Sequence, residues 1–188
     1  VIFSSDNGPV YDDGYDDGTT VKPSRGEVDG GHDGSGIYRG GKYQIYEGGT
    51  RVPFIVRWPA RIQPGTSDAL VNQVDLIASF ADLLGIELQA DEAVDSRNML
   101  QAFLGQDSKG LPFMLEEAGR TSRALRSGEL KYIAGAHQDG AKKSGRKAEL
   151  YNLKSDPGER HNIIAQHPEK AESMAKQLTE LMNAKGVR

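Results

Sequence analysis

Apolar and polar positions follow two different patterns along this chain, and the pattern changes near residue 105. In the first part, Val1 to Ser4 is a short apolar run that halts at Ser5-Asp6-Asn7-Gly8. That arrangement predicts a buried strand delivering polar side chains at its carboxyl end. In open α/β sheets this edge is where ligands bind. Residues 9 to 41 show no sustained period and are rich in Gly and Asp, as in a long loop, which at that length is functional or disordered. Val52 to Trp58 reads as a second strand. Asp75 is a candidate N-cap for a helix over Leu76 to Leu84, whose Ile77, Phe80, Ala81 and Leu84 share one face before Gly85 stops it. A shorter helix is predicted over Ser96 to Leu104.

Beyond the turn-like Gly105 to Gly110 the segments become short and strand-like. Phe113 to Glu116, Ser122 to Arg126, Leu130 to Ala134 and Glu149 to Leu153 are predicted strands, with Ser127-Gly128-Glu129 a tight hairpin between the second and third. The polar, basic stretch from Gly135 to Ala148 reads as a solvated excursion. Pro168 opens a final helix in which Ala171, Met174, Ala175, Leu178, Leu181 and Met182 follow the i, i+3, i+4, i+7 pattern, and Gly186 ends it. Burying its leucines and methionines is worth roughly 1.5 to 3 kcal/mol each, so the helix should cover one face of the small sheet. The expected division is 1–105 and 106–188.

Composition narrows the picture. Hydrophobic residues make up 37% of 188, and the 23 glycines assign much of the length to loops. With Lys+Arg 23 against Asp+Glu 27, a broad phosphate-backbone footprint is disfavoured and nucleic acid is not an expected partner. No apolar stretch is long enough to span a membrane. The charge is uneven: residues 1 to 35 are net −6 and the rest +2. Concentrated carboxylates beside a strand end suit a divalent cation or a solvated polar loop. The absence of Cys excludes disulfides and thiolate zinc sites. Because the chain opens directly on Val1-Ile2-Phe3, it is expected to be a piece whose upstream part is missing.

The candidate chemistry lies between Asp6 and Pro53. Asp6 and Asn7 offer a carboxylate and an amide oxygen, hard ligands suited to Ca²⁺, although an Asx turn after a strand explains them as well. Lys42 follows Gly40-Gly41 and could neutralise an anion, as a surface lysine could equally be merely solvated. Asp12-Asp13-Gly14-Tyr15-Asp16-Asp17-Gly18 fails the EF-hand spacing, since the third position is Gly14 or Tyr15. It stands as a solvated acidic loop or as pocket lining. Gly34-Ser35-Gly36 is not a dinucleotide fingerprint, because Arg39 stands where the third glycine belongs. His32 is either an exposed residue or a substrate contact. Glu47 and Arg51 are expected to pair structurally and position the Lys42 segment.

Phe3-Ser4-Ser5-Asp6-Asn7-Gly8, Arg39-Gly40-Gly41-Lys42, Glu47-Gly48-Gly49-Thr50-Arg51-Val52-Pro53 and Trp58-Pro59 together resemble the type I sulfatases of the alkaline-phosphatase superfamily. The resemblance continues through Val74-Asp75-Leu76, Leu83-Leu84-Gly85, Arg123-Ala124-Leu125-Arg126, Lys131-Tyr132, Glu149-Leu150-Tyr151-Asn152-Leu153, Asp156-Pro157 and Glu159. It implies the carboxyl-terminal part of an α/β, alkaline-phosphatase-like large domain, followed by a small α+β subdomain with an antiparallel sheet and a packed C-terminal helix. It further implies a sulfuric ester hydrolase in which Asp6 and Asn7 bind Ca²⁺, Lys42 contacts the sulfate, and His32 touches the sugar or leaving group. A sulfated small molecule or glycan is the implied substrate, the missing amino-terminal half the implied partner, and a periplasmic or secreted location the implied setting.

The family's nucleophile is a formylglycine in a C/S-x-P-S-R pattern upstream of the Asp-Asn-Gly strand. Pro23-Ser24-Arg25 here lies downstream and has Val21 at the nucleophile position, so it reads as a chance match. Alone, this chain is therefore expected to be inactive and to bind Ca²⁺ weakly. Two alternatives stand beside this reading: a phosphodiester or phosphonate hydrolase of the same superfamily, and a non-catalytic, calcium-stabilised glycan-binding module.

Overall fold

The computed structural model describes residues 1–10, 32–119, 121–135 and 146–186. The acidic run from Asp12 to Gly18, Pro23-Ser24-Arg25 and most of the basic stretch before Ala148 lie outside the described residues.

The first apolar run forms β1 (Ile2–Ser4), antiparallel to β2 (Phe54–Val56) with Ile2 opposite Val56 and Ser4 opposite Phe54. Both predicted strands exist, but β1 is not buried: Phe3 is 60% exposed, because β2 is its sole sheet partner among the described residues. Between the two strands lies α1 (Glu47–Thr50), a single turn with Glu47, Gly48 and Gly49 buried.

The helix α2 (Leu76–Leu84) has the predicted bounds and ends at Gly85, whose φ of 68° lies in the left-handed region. Its start differs from the expectation. A 3₁₀ turn over Gln73–Asp75 precedes it, so Asp75 already has helical backbone angles and makes no side-chain cap. The Asp75 carboxylate instead turns inward and accepts the Arg97 amide at 2.8 Å, while Asn72 caps the 3₁₀ turn. The buried face differs too. Ala78, Ser79 and Ala81 are buried, whereas Ile77, Phe80 and Leu84 are exposed, Leu84 by 70%. Hydrogen bonds select this face: Ser79 Oγ accepts the Met99 amide at 2.8 Å and Ser96 Oγ accepts the Ala78 amide at 2.9 Å. The predicted second helix shrinks to α3 (Leu100–Phe103), which packs Ala102 and Phe103 with Met99 and Leu111.

The second half is a four-stranded antiparallel sheet in the order β3 (Met114–Ala118), β4 (Ser122–Ser127), β5 (Leu130–Ile133), β6 (Glu149–Asn152). Ser127 pairs with Leu130, so the hairpin predicted over Ser127-Gly128-Glu129 turns through Gly128-Glu129 alone. Register places Leu125, Tyr132 and Leu150 side by side, and this face is covered by α4 (Pro168–Asn183) through Ala171, Met174 and Leu178. The opposite face carries Ala124, Ile133 and Tyr151 and is covered by Ile45 from the glycine-rich segment. A sheet covered on both sides buries the middle of its central strands, Ala124 and Leu125 on β4 and Lys131 to Ile133 on β5, so a lysine is buried at 131.

Candidate functional site

The Asp6-Asn7-Gly8 bend and the segment from Arg39 to Arg51 are laced together by backbone hydrogen bonds. The Gly8 amide donates to Gly49 O at 2.9 Å, Lys42 N to Pro9 O at 2.9 Å, and Gly48 N to Arg39 O at 2.8 Å. Two glycines make this approach possible. A methyl group on Gly8 would collide with the Gly48 carbonyl, and one on Gly48 with the carbonyls of Arg39 and Gly40.

The result is an open groove of about 350 Å³ lined by Asp6, Asn7, Lys42, Tyr43, Asn72 and Glu117 among others. Three of the four predicted site residues thus share one wall. Asp6 is exposed at the bend, and Asn7 Nδ2 donates to Gly8 O at 2.9 Å, which turns its Oδ1 away from that carbonyl. The Lys42 ammonium lies 5.3 Å from the Tyr43 ring centroid. His32 is exposed and is not among the groove's lining residues, although Asp33 next to it lines a neighbouring cleft of about 730 Å³ with Asn7 and Gly8. The hard oxygens of Asp6 and Asn7 have the chemistry that Ca²⁺ takes, but two donors fall short of its usual 6 to 8. Among the described residues no group of three or more His, Cys, Asp or Glu side chains could hold a metal ion.

Behind the groove is a buried ionic cluster. Lys131 on β5 is 0% exposed, with Nζ 2.9 Å from Glu47, 2.9 Å from Glu116 and 3.4 Å from Glu159. Glu47 also faces Arg51 at 3.4 Å and Arg126 at 3.6 Å, so three carboxylates meet three cations. Glu159 Oε2 accepts the Glu47 amide at 2.6 Å, and Thr50 donates to Glu116 at 2.8 Å. A second network runs beside it. Arg39 stacks 3.7 Å over Tyr46 and donates to Tyr151 Oη and Glu159 O, while Glu149 accepts from Tyr46 and Tyr151. Both tie the glycine-rich segment to the second sheet. The expected Glu47–Arg51 pair is present, but Lys131 is the closer partner.

Burial alone would depress the Lys131 ammonium, yet Glu116, Glu47 and Glu159 together push it above the ordinary lysine value. Burial favours the neutral Glu47 carboxyl, but Lys131 and the two arginines outweigh it and hold the group below its ordinary value. Burial wins at Glu159, raised from 4.5 to about 7 against the pull of Lys131. A folded state that holds this proton more tightly than the unfolded chain gains stability below about pH 4.5 and loses it as pH rises through 7. The difference is roughly 3 kcal/mol at 1.36 kcal/mol per unit. Glu47 titrates beneath that window and does not add to the slope. We therefore expect Glu159→Gln to flatten the decline in stability between pH 4.5 and 7, read from urea denaturation at a series of pH values. Parallel pH profiles for the two proteins would rule this out.

The chain is similar to known sulfatases in sequence and in fold. Residues 1–86 match the Sulfatase family model. The N-acetylgalactosamine-6-O-sulfatase of Bacteroides thetaiotaomicron is 41% identical over 191 residues, covering 98% of this chain and 35% of the relative. Human arylsulfatase A is 31% identical over 186 residues, covering 87% of this chain and 33% of the relative. A solved structure from work on glycosaminoglycan metabolism by Bacteroides thetaiotaomicron superposes with a TM-score of 0.84 at 38% identity, over 98% of this chain and 38% of that one. Another, solved with its substrate D-glucosamine-2-N,6-O-disulfate, gives 0.56 at 25% identity over 74% of this chain and 29% of that one. The fold is that of part of an alkaline-phosphatase-like domain. The chain belongs to the type I sulfatase family, and it spans about a third of the length of the curated relatives it matches.

Lys131, Glu116 and Glu159 were not assigned roles from sequence. The one available signal was a lone charge in an apolar strand, Leu130-Lys131-Tyr132-Ile133.

Proposed function

We propose that this chain is the carboxyl-terminal part of a sulfuric ester hydrolase that removes sulfate from a sugar, with an upstream formylglycine as nucleophile. The observation that carries this reading is the convergence of Asp6, Asn7 and Lys42 on one open groove. Asp6 and Asn7 side-chain oxygens would hold part of a Ca²⁺ site, and a bound Ca²⁺ supplies Lewis-acid polarisation of a sulfuryl oxygen. Lys42 places an ammonium where charge develops on the transferring group and leaving oxygen. His32, one residue from the cleft-lining Asp33, contacts the sugar or leaving group. The amino-terminal half supplies the nucleophile and remaining ligands, and it covers the exposed apolar face of Val74, Ile77, Phe80 and Leu84. The N-acetylgalactosamine-6-O-sulfatase relative supports a sulfated hexosamine as substrate.

The full-length protein is expected to hydrolyse N-acetylgalactosamine 6-sulfate and to lose that activity on treatment with a chelator. The isolated 188 residues should show no turnover and bind Ca²⁺ with a dissociation constant no tighter than about 1 mM by calorimetry. Turnover by the isolated chain, or tight stoichiometric Ca²⁺ binding, would contradict the division of labour; phosphate-ester preference in the full-length protein would overturn the assigned reaction.

A further inference from the structure

Lys42 and Tyr43 are the two central residues of a tight turn closed by the Gln44 amide donating to Gly41 O at 3.0 Å. The third position of this turn, Tyr43, has φ of 71°. A turn with positive φ at that position favours glycine, and a tyrosine there is strained. The strain is not repaid by packing, because Tyr43 is 66% exposed. A strained, exposed aromatic residue beside a site directs attention to its ring.

Among the described residues that ring is the only aromatic lining the Lys42 groove, where Asp6, Gln44, Asn72 and Glu117 supply polar groups beside the aliphatic Met114 and Leu115. A flat aromatic surface with polar side chains within the same groove suits a pyranose, which has C–H bonds on its face and hydroxyl groups at its edge. We propose that Tyr43 is a specificity-determining residue, stacking its ring against the apolar face of the sulfated sugar while adjacent Lys42 takes the sulfate. This rests on the sulfatase reading above. It also explains why the turn carries a tyrosine at a position that glycine would occupy without strain.

The test uses the full-length protein with Tyr43→Gly and Tyr43→Phe. The glycine variant is expected to raise KM for N-acetylgalactosamine 6-sulfate about 5- to 10-fold while turnover falls less than twofold. Its inhibition constant for inorganic sulfate should stay within twofold, since the backbone hydrogen bonds that place Lys42 remain, and its melting temperature should not fall. The phenylalanine variant should restore KM to near the wild-type value. An unchanged KM in Tyr43→Gly overturns the proposal and leaves the sulfatase reading intact. So does a drop of several degrees in melting temperature, which would mean the ring packs against the rest of the protein. So does an equal weakening of inorganic sulfate, which would mean the turn had merely displaced Lys42. A wild-type protein that hydrolyses no sugar sulfate at all removes both readings together.

Discussion

Replacing Lys131 with methionine is expected to cost about 3 to 5 kcal/mol of stability, the usual consequence of removing one partner from a buried ionic group. The side chain has no access to solvent, and its loss leaves Glu47, Glu116 and Glu159 converging on an uncharged thioether. Arg51 and Arg126 still face Glu47, but at 3.4 and 3.6 Å, and neither forms an ion pair with Glu116 or Glu159 among the described residues. The remaining carboxylates must take up protons or draw in water. The damage should therefore be partly reversed by adding Glu116→Gln and Glu159→Gln, because the excess negative charge goes with them. Urea denaturation of the single and triple variants measures this. A Lys131→Met protein within 1 kcal/mol of wild type would show that the cluster breaks even against an apolar replacement, as some buried ion groups do.

Lys42→Ala should have the largest effect on chemistry, lowering turnover of the full-length protein by about 100- to 1000-fold, the range for removing one group that stabilises transition-state charge. Its melting temperature should not change, since the turn is held by backbone hydrogen bonds from Lys42 N and Gln44 N that alanine retains. Steady-state kinetics alongside thermal denaturation separates the two effects. A variant keeping more than a third of wild-type turnover would remove Lys42 from the reaction. Lys42→Arg tests geometry as well as charge, because the planar guanidinium is wider than the ammonium it replaces.

Several features were legible because they depend on local spacing alone. The two-residue hairpin at Gly128-Glu129, the periodicity of the last helix and the glycine stop at Gly85 are all set by neighbours within a few positions. The pairing of Glu47 with Arg51 was legible for the same reason, since residues four apart on a helical turn face one another. Other features were misread where two local signals competed. Asp75 has the chemistry of a cap, but a preceding 3₁₀ turn moved it inside the helical backbone, and its carboxylate found the Arg97 amide instead. Helix α2 has an apolar face at the right spacing, yet Ser79 and Ser96 turn the side with Ala78 and Ser79 inward by hydrogen bonds spanning 18 and 20 positions.

The sequence by itself determined the family and the order of the main elements and singled out Asp6, Asn7 and Lys42 as candidates, because motifs and periodicity are carried by residues close together in the chain. Only the tertiary structure decided that these three share a groove and that Lys131 lies beneath it. Lys131 is 84 residues from Glu47, and the one local signal, a lone charge in Leu130-Lys131-Tyr132-Ile133, does not name the groups that close over it. The outcome depended on Ile45 and Glu47 closing over the face of the sheet that α4 leaves open, a burial that no short window of sequence contains.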